Sequence, residues 1–387
     1  MEQFINDRVK RIEISGIRQF FNMVADKKDI LSLTIGQPDF PTPDHIKEKT
    51  KEAIENDYTA YTANAGILSL REAISNFYSK NYQISYDPKN EVIVTVGASQ
   101  AIDVTFRTLL NEGDEVILPG PVYPGYEPLI ILAGAKPVHI DTRETHFKIT
   151  AEQIERSITV NTKAIIIPYP SNPTGVTLSK EELAEIASVI ERHNLFLIAD
   201  EIYSELVYEQ PHFSIGQFAE IRDKLIIING VSKSHSMTGF RIGYILAPPE
   251  WLAKQMLKVH QYNVSCPSSI SQYGALEAIN NGQEDSKKMK NVYQERRDYV
   301  YARLKDMNLA TYLPNGGFYF FIDISHLHLD SFTVAVQLAE EAKVALVPGS
   351  AFSKYGEGFL RLSYAYNLAT IKEGLDRLEP YINNHTN

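Results

Sequence analysis

The chain has 387 residues, 44% of them hydrophobic and 22% charged, enough to bury a large core in more than one domain. A formal net charge of −10 argues against nucleic acid or an anionic membrane as the main partner. The single cysteine, Cys266, excludes an intramolecular disulfide and a cysteine-rich metal site and fits a reducing cytosol.

The start, MEQFINDRVKRIEISG, is charged and holds no apolar signal-peptide core, so the expectation is a soluble cytoplasmic protein without a metal. Through the middle of the chain, strand-like and helix-like patterns alternate. VIVTV at 92–96 is followed by Gly97 and a helical pattern from Ala98 to Leu110. EVIL at 115–118, PVHI at 137–140 and AIIIP at 164–168 read as further strands. A helix then opens at a capping box, with Ser179 as cap and Glu182 reaching back to it. LFLIAD at 195–200, KLIIIN at 224–229 and FRIGYIL at 240–246 complete the series. Near-continuous apolar strands separated by helices predict an α/β fold with a mostly parallel sheet covered on both faces.

Beyond about residue 250 the pattern changes. Helical stretches at 251–261 and 291–307 lead to GFYFFID at 317–323, a helix, a strand at 344–347 and another at 359–363. These predict a smaller α+β unit. The expected division is a large domain over 45–285 and a small domain built from 1–44 plus 286–387.

Open α/β sheets place ligands at the carboxyl ends of their strands, and four such ends here carry polar residues. GASQ at 97–100 is a glycine turn feeding a helix N-terminus, where free N–H groups favour a phosphate; as an ordinary turn it needs only Ser99 as a cap. Asn172 in SNPTG either builds the turn or donates to a ligand. Asp200 either caps the turn after its strand or holds a cation such as a protonated ring nitrogen. Lys233 follows the KLIIIN strand, where burying an unpaired ammonium is costly. Beside Arg241 and a phosphate, that ammonium loses its proton at moderate pH and can condense with an aldehyde. No GxxxxGK[ST] is present and no GxGxxG follows a strand, so nucleotide binding is not supported. A lysine for an aldehyde, a carboxylate for a pyridinium and a cradle for a phosphate together specify pyridoxal 5′-phosphate.

At this point a family resemblance enters. SKSHSMTGFRIGY, YPSNPTG and ADEIYSEL resemble the cofactor-lysine, asparagine and aspartate–tyrosine motifs of the class I aminotransferases of fold type I. The resemblance runs from LTIGQPDFPTP through YTANAG, GASQAID and GPVYPGYEP to GEGFLRLSYA, with order and spacing kept. It implies a seven-stranded sheet in the large domain and pyridoxal phosphate as cofactor. Lys233 would carry the cofactor and move the substrate proton, and Asp200 would hold the ring nitrogen. Asn172 and Tyr203 would bond the ring oxygen, and Tyr123 would stack on the ring. Ala98, Ser99 and Arg241 would hold the phosphate, joined by Tyr61 from the neighbouring subunit of a homodimer. Arg361 would clamp the substrate α-carboxylate, assisted by Gly36 and Asn172. One departure stands out: many relatives carry a phosphate-binding serine three residues before the lysine, where this chain has Gly230, with Ser232 a candidate replacement.

More narrowly, ISGIRQFFN, IPYPSNPTGVTLS, NGVSKSHSMTG and KVHQYNVSC resemble the N-acetyl-L,L-diaminopimelate aminotransferase group. That implies amino-group exchange between 2-oxoglutarate and an acetylated diaminopimelate, in the acetyl branch of lysine synthesis, with Ile14–Arg18 near the substrate. The alternatives are an aromatic or aspartate aminotransferase, a C–S lyase using the same cofactor, and a transcription regulator built on the same fold. The last needs a basic DNA-binding unit ahead of the fold, whereas here the resemblance begins within the first residues.

Overall fold

The computed structural model describes residues 1–387 apart from Asp26, Lys28, Ala310, Thr386 and Asn387. In chain order the strands are β1 Leu31–Ser32, β2 Val92–Val96, β3 Glu115–Gly120, β4 Lys136–Asp141, β5 Thr162–Ile167 and β6 Phe196–Asp200. They continue with β7 Leu225–Gly230, β8 Ile242–Leu246, β9 Tyr319–Asp323, β10 Val344–Ala345, β11 Val347–Pro348 and β12 Phe359–Ser363.

β2 to β8 form one seven-stranded sheet in the order β2-β8-β7-β6-β5-β3-β4. Strands β3 to β7 pair in parallel, and β8 runs antiparallel to both its neighbours. The apolar runs of the sequence are continuous because both faces of this sheet are covered. Ile226 and Ile228 of β7 join one buried cluster with Ile166 and Ile198, while Leu225 and Ile227 join another with Ile165 and Leu197. Successive side chains thus enter opposite cores. The helix Lys180–Arg192 opens with the reciprocal capping box of Ser179 and Glu182.

The C-terminal part carries a second, three-stranded antiparallel sheet in the order β11-β12-β9. A parallel pair, β1 with β10, ties the N-terminal segment to it. Phe20, Val24 and Leu33 share a buried cluster with Val300, Phe320, Leu362 and Leu375. No helix among the described residues is long and apolar enough to cross a membrane.

Three details differ from expectation. The stretch 344–347 is two strands, not one: β10 pairs with β1, and after Leu346 the chain changes sheet so that β11 pairs with β12. The strand expected from Phe240 begins at Ile242, because Arg241 takes a left-handed backbone at φ 55° and breaks the extended run. Ser99 is not the cap of its helix, which starts two residues earlier at Gly97, with Val96 in the cap position.

Because β8 runs backwards, its first residue lies at the same sheet edge as the last residues of β2 and β7. Val96 faces Ile242, and Gly230 faces Gly243. The glycine pair permits a close approach. A Cβ on Gly243 would stand 2.5 Å from the Ala98 nitrogen and from the Gly97 carbonyl carbon. We therefore expect Gly243→Ala to destabilise the fold by about 1–3 kcal/mol, through forced backbone movement. A lowered denaturant midpoint with an unchanged slope checks this.

Candidate active site

At the carboxyl edge of the large sheet lies a cavity of about 380 Å³, a size typical of small-molecule sites. Loops after β2, β3, β5, β6 and β7, the residue before β8, and the N-terminal and C-terminal parts all supply its lining. Of the residues singled out from sequence, Gly36, Ala98, Ser99, Tyr123, Asn172, Asp200, Tyr203, Lys233, Arg241 and Arg361 line it together. Tyr61 does not; it is 89% exposed on the outside of the chain.

Asp200 ends β6 and is buried. Its Oδ2 accepts a hydrogen bond from the Tyr126 hydroxyl at 2.7 Å, and its Oδ1 accepts one from the Ile202 amide at 3.1 Å. Burial pushes the carboxyl up to about 6, against the pull of those two donors. Lys233 donates to the Gly36 carbonyl at 2.6 Å. Burial, followed by the like charges of Arg241 and Arg361, brings its ammonium down to about 8. The strand end has therefore produced a lysine whose nitrogen is in part neutral near physiological pH.

Arg361 comes from β12 and is fully buried. One guanidinium nitrogen donates to Asn172 Oδ1 at 2.9 Å and another to the Thr34 carbonyl at 2.5 Å. The guanidinium sits 4.4 Å from the Tyr319 ring centre and 5.0 Å from that of Phe352. Its Nε is buried and has no hydrogen-bond partner among the described residues. Tyr203 shares a hydrogen bond of 2.8 Å with the Tyr319 hydroxyl. Arg241 donates to the Thr238 carbonyl, and its guanidinium crosses the Gly97 turn, where a Cβ would lie 2.4 Å from it. Gly97, at φ 72°, opens the helix Gly97–Leu109 and leaves room for that crossing.

Gly230 faces away from this cavity, into the pairing with β8, where a Cβ would meet the Ile242 carbonyl oxygen at 2.8 Å. A serine there would collide with backbone. Ser232 does line the cavity, so the hydroxyl absent at 230 is present two residues on. Tyr126 and Tyr319 were missed from sequence. Tyr126 lies within GPVYPGYEP, three residues past Tyr123, and that spacing was the only available signal. Tyr319 was read only as part of a strand.

The residues fit pyridoxal phosphate on three independent counts: a lysine of depressed basicity, a buried carboxylate with no cationic partner in contact among the described residues, and a cation over a glycine turn at a helix N-terminus. Fold and site together define a pyridoxal-phosphate-dependent transferase of fold type I. The chain belongs to the family described as aminotransferase class I and II, which it matches over residues 28–378. It is 56% identical, over 99% of its length and 96% of the relative's, to a Bacillus subtilis protein named "Probable N-acetyl-LL-diaminopimelate aminotransferase". An aspartate aminotransferase of Pyrococcus abyssi is 41% identical over 97% of both chains. The crystal structure of an aromatic aminotransferase from Pyrococcus horikoshii superposes with a TM-score of 0.92, at 38% identity over 98% of both chains.

The raised Asp200 carboxyl has a cost that can be measured. Between its ordinary 3.8 and about 6, the folded protein holds a proton that the unfolded chain has released. Stability therefore falls as pH rises through that window and stays lower above it. In cofactor-free protein, Asp200→Asn is expected to be more stable than wild type at pH 7.5, by on the order of 1–3 kcal/mol. The gain should vanish below about pH 4. Denaturant unfolding at the two pH values tests the sign.

Proposed function

We propose that this aminotransferase exchanges the amino group between glutamate/2-oxoglutarate and an N-acetylated L,L-diaminopimelate, in the acetyl branch of lysine synthesis. The observation that carries this reading is the 56% identity, over nearly the whole of both chains, to the relative so named. The aspartate and aromatic relatives near 40% support the same reaction on other side chains and define the second reading.

When bound, pyridoxal phosphate supplies the electron sink that makes the Cα proton of an amino acid removable. The chain supplies the rest. Lys233 would hold the cofactor through Nζ, and the same nitrogen would take and return the substrate Cα proton. Its lowered basicity suits that work near neutral pH. Asp200, oriented by Tyr126 and the Ile202 amide, would hold a protonated ring nitrogen as an ionised carboxylate. Asn172 accepts from Arg361 through Oδ1, which leaves its Nδ2 to donate to the ring oxygen beside Tyr203. Tyr123, which lines the cavity, would pack against the ring. The amides of Ala98 and Ser99, the Ser99 and Ser232 hydroxyls, and Arg241 take the phosphate. Arg361 takes the α-carboxylate with its guanidinium, next to Gly36 and Asn172.

The exposed Tyr61 and Tyr262, each 89% accessible, favour a second copy of the chain over this face, with Tyr61 completing the partner's phosphate site. We read 45–285 as the cofactor-binding domain, and 1–44 with 286–387 as the small domain, a division supported by the cluster joining Phe20 and Leu33 to the C-terminal part.

Lys233→Ala is expected to abolish turnover and covalent retention of the cofactor after borohydride reduction, read by intact mass. Arg361→Leu should lower kcat/KM for every α-amino acid by at least about 100-fold, since it removes a charge-assisted carboxylate contact and leaves Asn172 unpaired. The substrate itself is tested by mixing holoenzyme with N-acetyl-L,L-diaminopimelate, glutamate, aspartate or tyrosine and following loss of the lysine-bound absorbance. Fast conversion by the first two supports the proposal. Preference for aspartate or tyrosine moves the enzyme to the second reading with the site unchanged.

A further inference from the structure

Tyr319 sits where three of these site residues meet. It is 1% exposed, its hydroxyl is 2.8 Å from that of Tyr203, and its ring lies against the Arg361 guanidinium at 4.4 Å. A Cβ on Gly36 would fall 2.3 Å from the Tyr319 hydroxyl, so the glycine makes the space this hydroxyl occupies. Among the described residues, Tyr203 is its only hydrogen-bond partner. Two phenols that share one hydrogen bond hold two protons, so one proton bridges them and the other remains free. If Tyr203 is to donate to the cofactor ring oxygen, the bridging proton has to come from Tyr319.

We propose that Tyr319 is a positioning residue that donates to Tyr203, thereby aiming the Tyr203 proton at the cofactor, while its ring holds Arg361 for the substrate carboxylate. The inference rests on the cofactor and residue roles proposed above. A phenol oxygen that accepts a hydrogen bond becomes a better donor, by about 10–30% in condensed phase. A better donor to the ring oxygen concentrates negative charge on it, away from the neighbouring Lys233 nitrogen, which then gives up its proton at lower pH. Losing the Tyr319 hydroxyl lets that nitrogen keep its proton to higher pH. Phenylalanine at 319 preserves the ring under Arg361 and removes only the donor.

The test is a pH titration of the lysine-bound visible absorbance in the holoenzymes of wild type, Tyr319→Phe, Tyr203→Phe and the double variant. Binding of glutarate, a non-reacting dicarboxylate, is measured alongside. Tyr203→Phe should raise the midpoint most, and Tyr319→Phe should raise it by about 0.2–0.6 pH units. In the Tyr203→Phe background the second substitution should add nothing, because its effect passes through Tyr203. Glutarate affinity in Tyr319→Phe should stay within about twofold of wild type, as expected if the ring alone supports Arg361. Gly36→Ala, which crowds the hydroxyl away from Tyr203, should move the midpoint in the same direction and serves if Tyr319→Phe does not fold. An unshifted midpoint in Tyr319→Phe, or the same shift persisting without the Tyr203 hydroxyl, overturns the proposal. Absence of any visible band from the wild-type holoenzyme would instead overturn the cofactor reading beneath it.

Discussion

Asp200 and Arg361 are buried and Lys233 is half-buried around one cavity, and among the described residues none of the three has an oppositely charged partner in contact. Everything else at the strand ends follows from this desolvation. The carboxyl is pushed up and the ammonium down by the same cause, burial, with neighbouring cations adding to the second effect. The three groups are held by neutral dipoles instead of counter-ions: the Tyr126 hydroxyl and Ile202 amide on Asp200, the Gly36 carbonyl on Lys233, and Asn172 and the Thr34 carbonyl on Arg361. Dipoles fix orientation without cancelling charge. Such a cavity favours a ligand that brings the missing charges, a pyridinium and an α-carboxylate.

The rigid frame makes that arrangement tolerable. Two buried clusters clamp the sheet from both faces and so fix the strand ends from which these groups project. The reversed direction of β8 matters as much, since it delivers Arg241 to the edge where Gly97, Ala98 and Ser99 emerge from β2. A parallel strand in that place would put its first residue at the opposite edge.

The sheet was legible because strands buried on both faces must be apolar at every position, and runs such as LIII cannot be confused with amphipathic surface elements. The capping box at Ser179 was legible because its chemistry is local. The split at Leu346 was not, since β10 and β11 differ only in the distant strand each one pairs with. Within the site, residues carried by compact motifs were readable through family resemblance, and the structure brings ten of them around one cavity. Tyr126 and Tyr319 were hidden among 22 tyrosines, because what sets them apart is a partner 74 or 116 positions away in the chain. Gly230 could be named as a departure, but only the close approach to β8 explains why a larger residue does not belong there.

The change of sheet at Leu346 has a mechanical side. β1 is bonded to β10, two residues later β11 is bonded to β12, and β12 carries Arg361. The Ser363 amide also donates to the Leu33 carbonyl, and Arg361 itself donates to the carbonyl of Thr34. The stretch from Leu31 to Gly36 is thus stitched to the guanidinium by short links with almost no slack, like a lever fastened along its length. A displacement of that stretch would therefore be felt at the Arg361 guanidinium through Thr34, and at Lys233 through its bond to the Gly36 carbonyl.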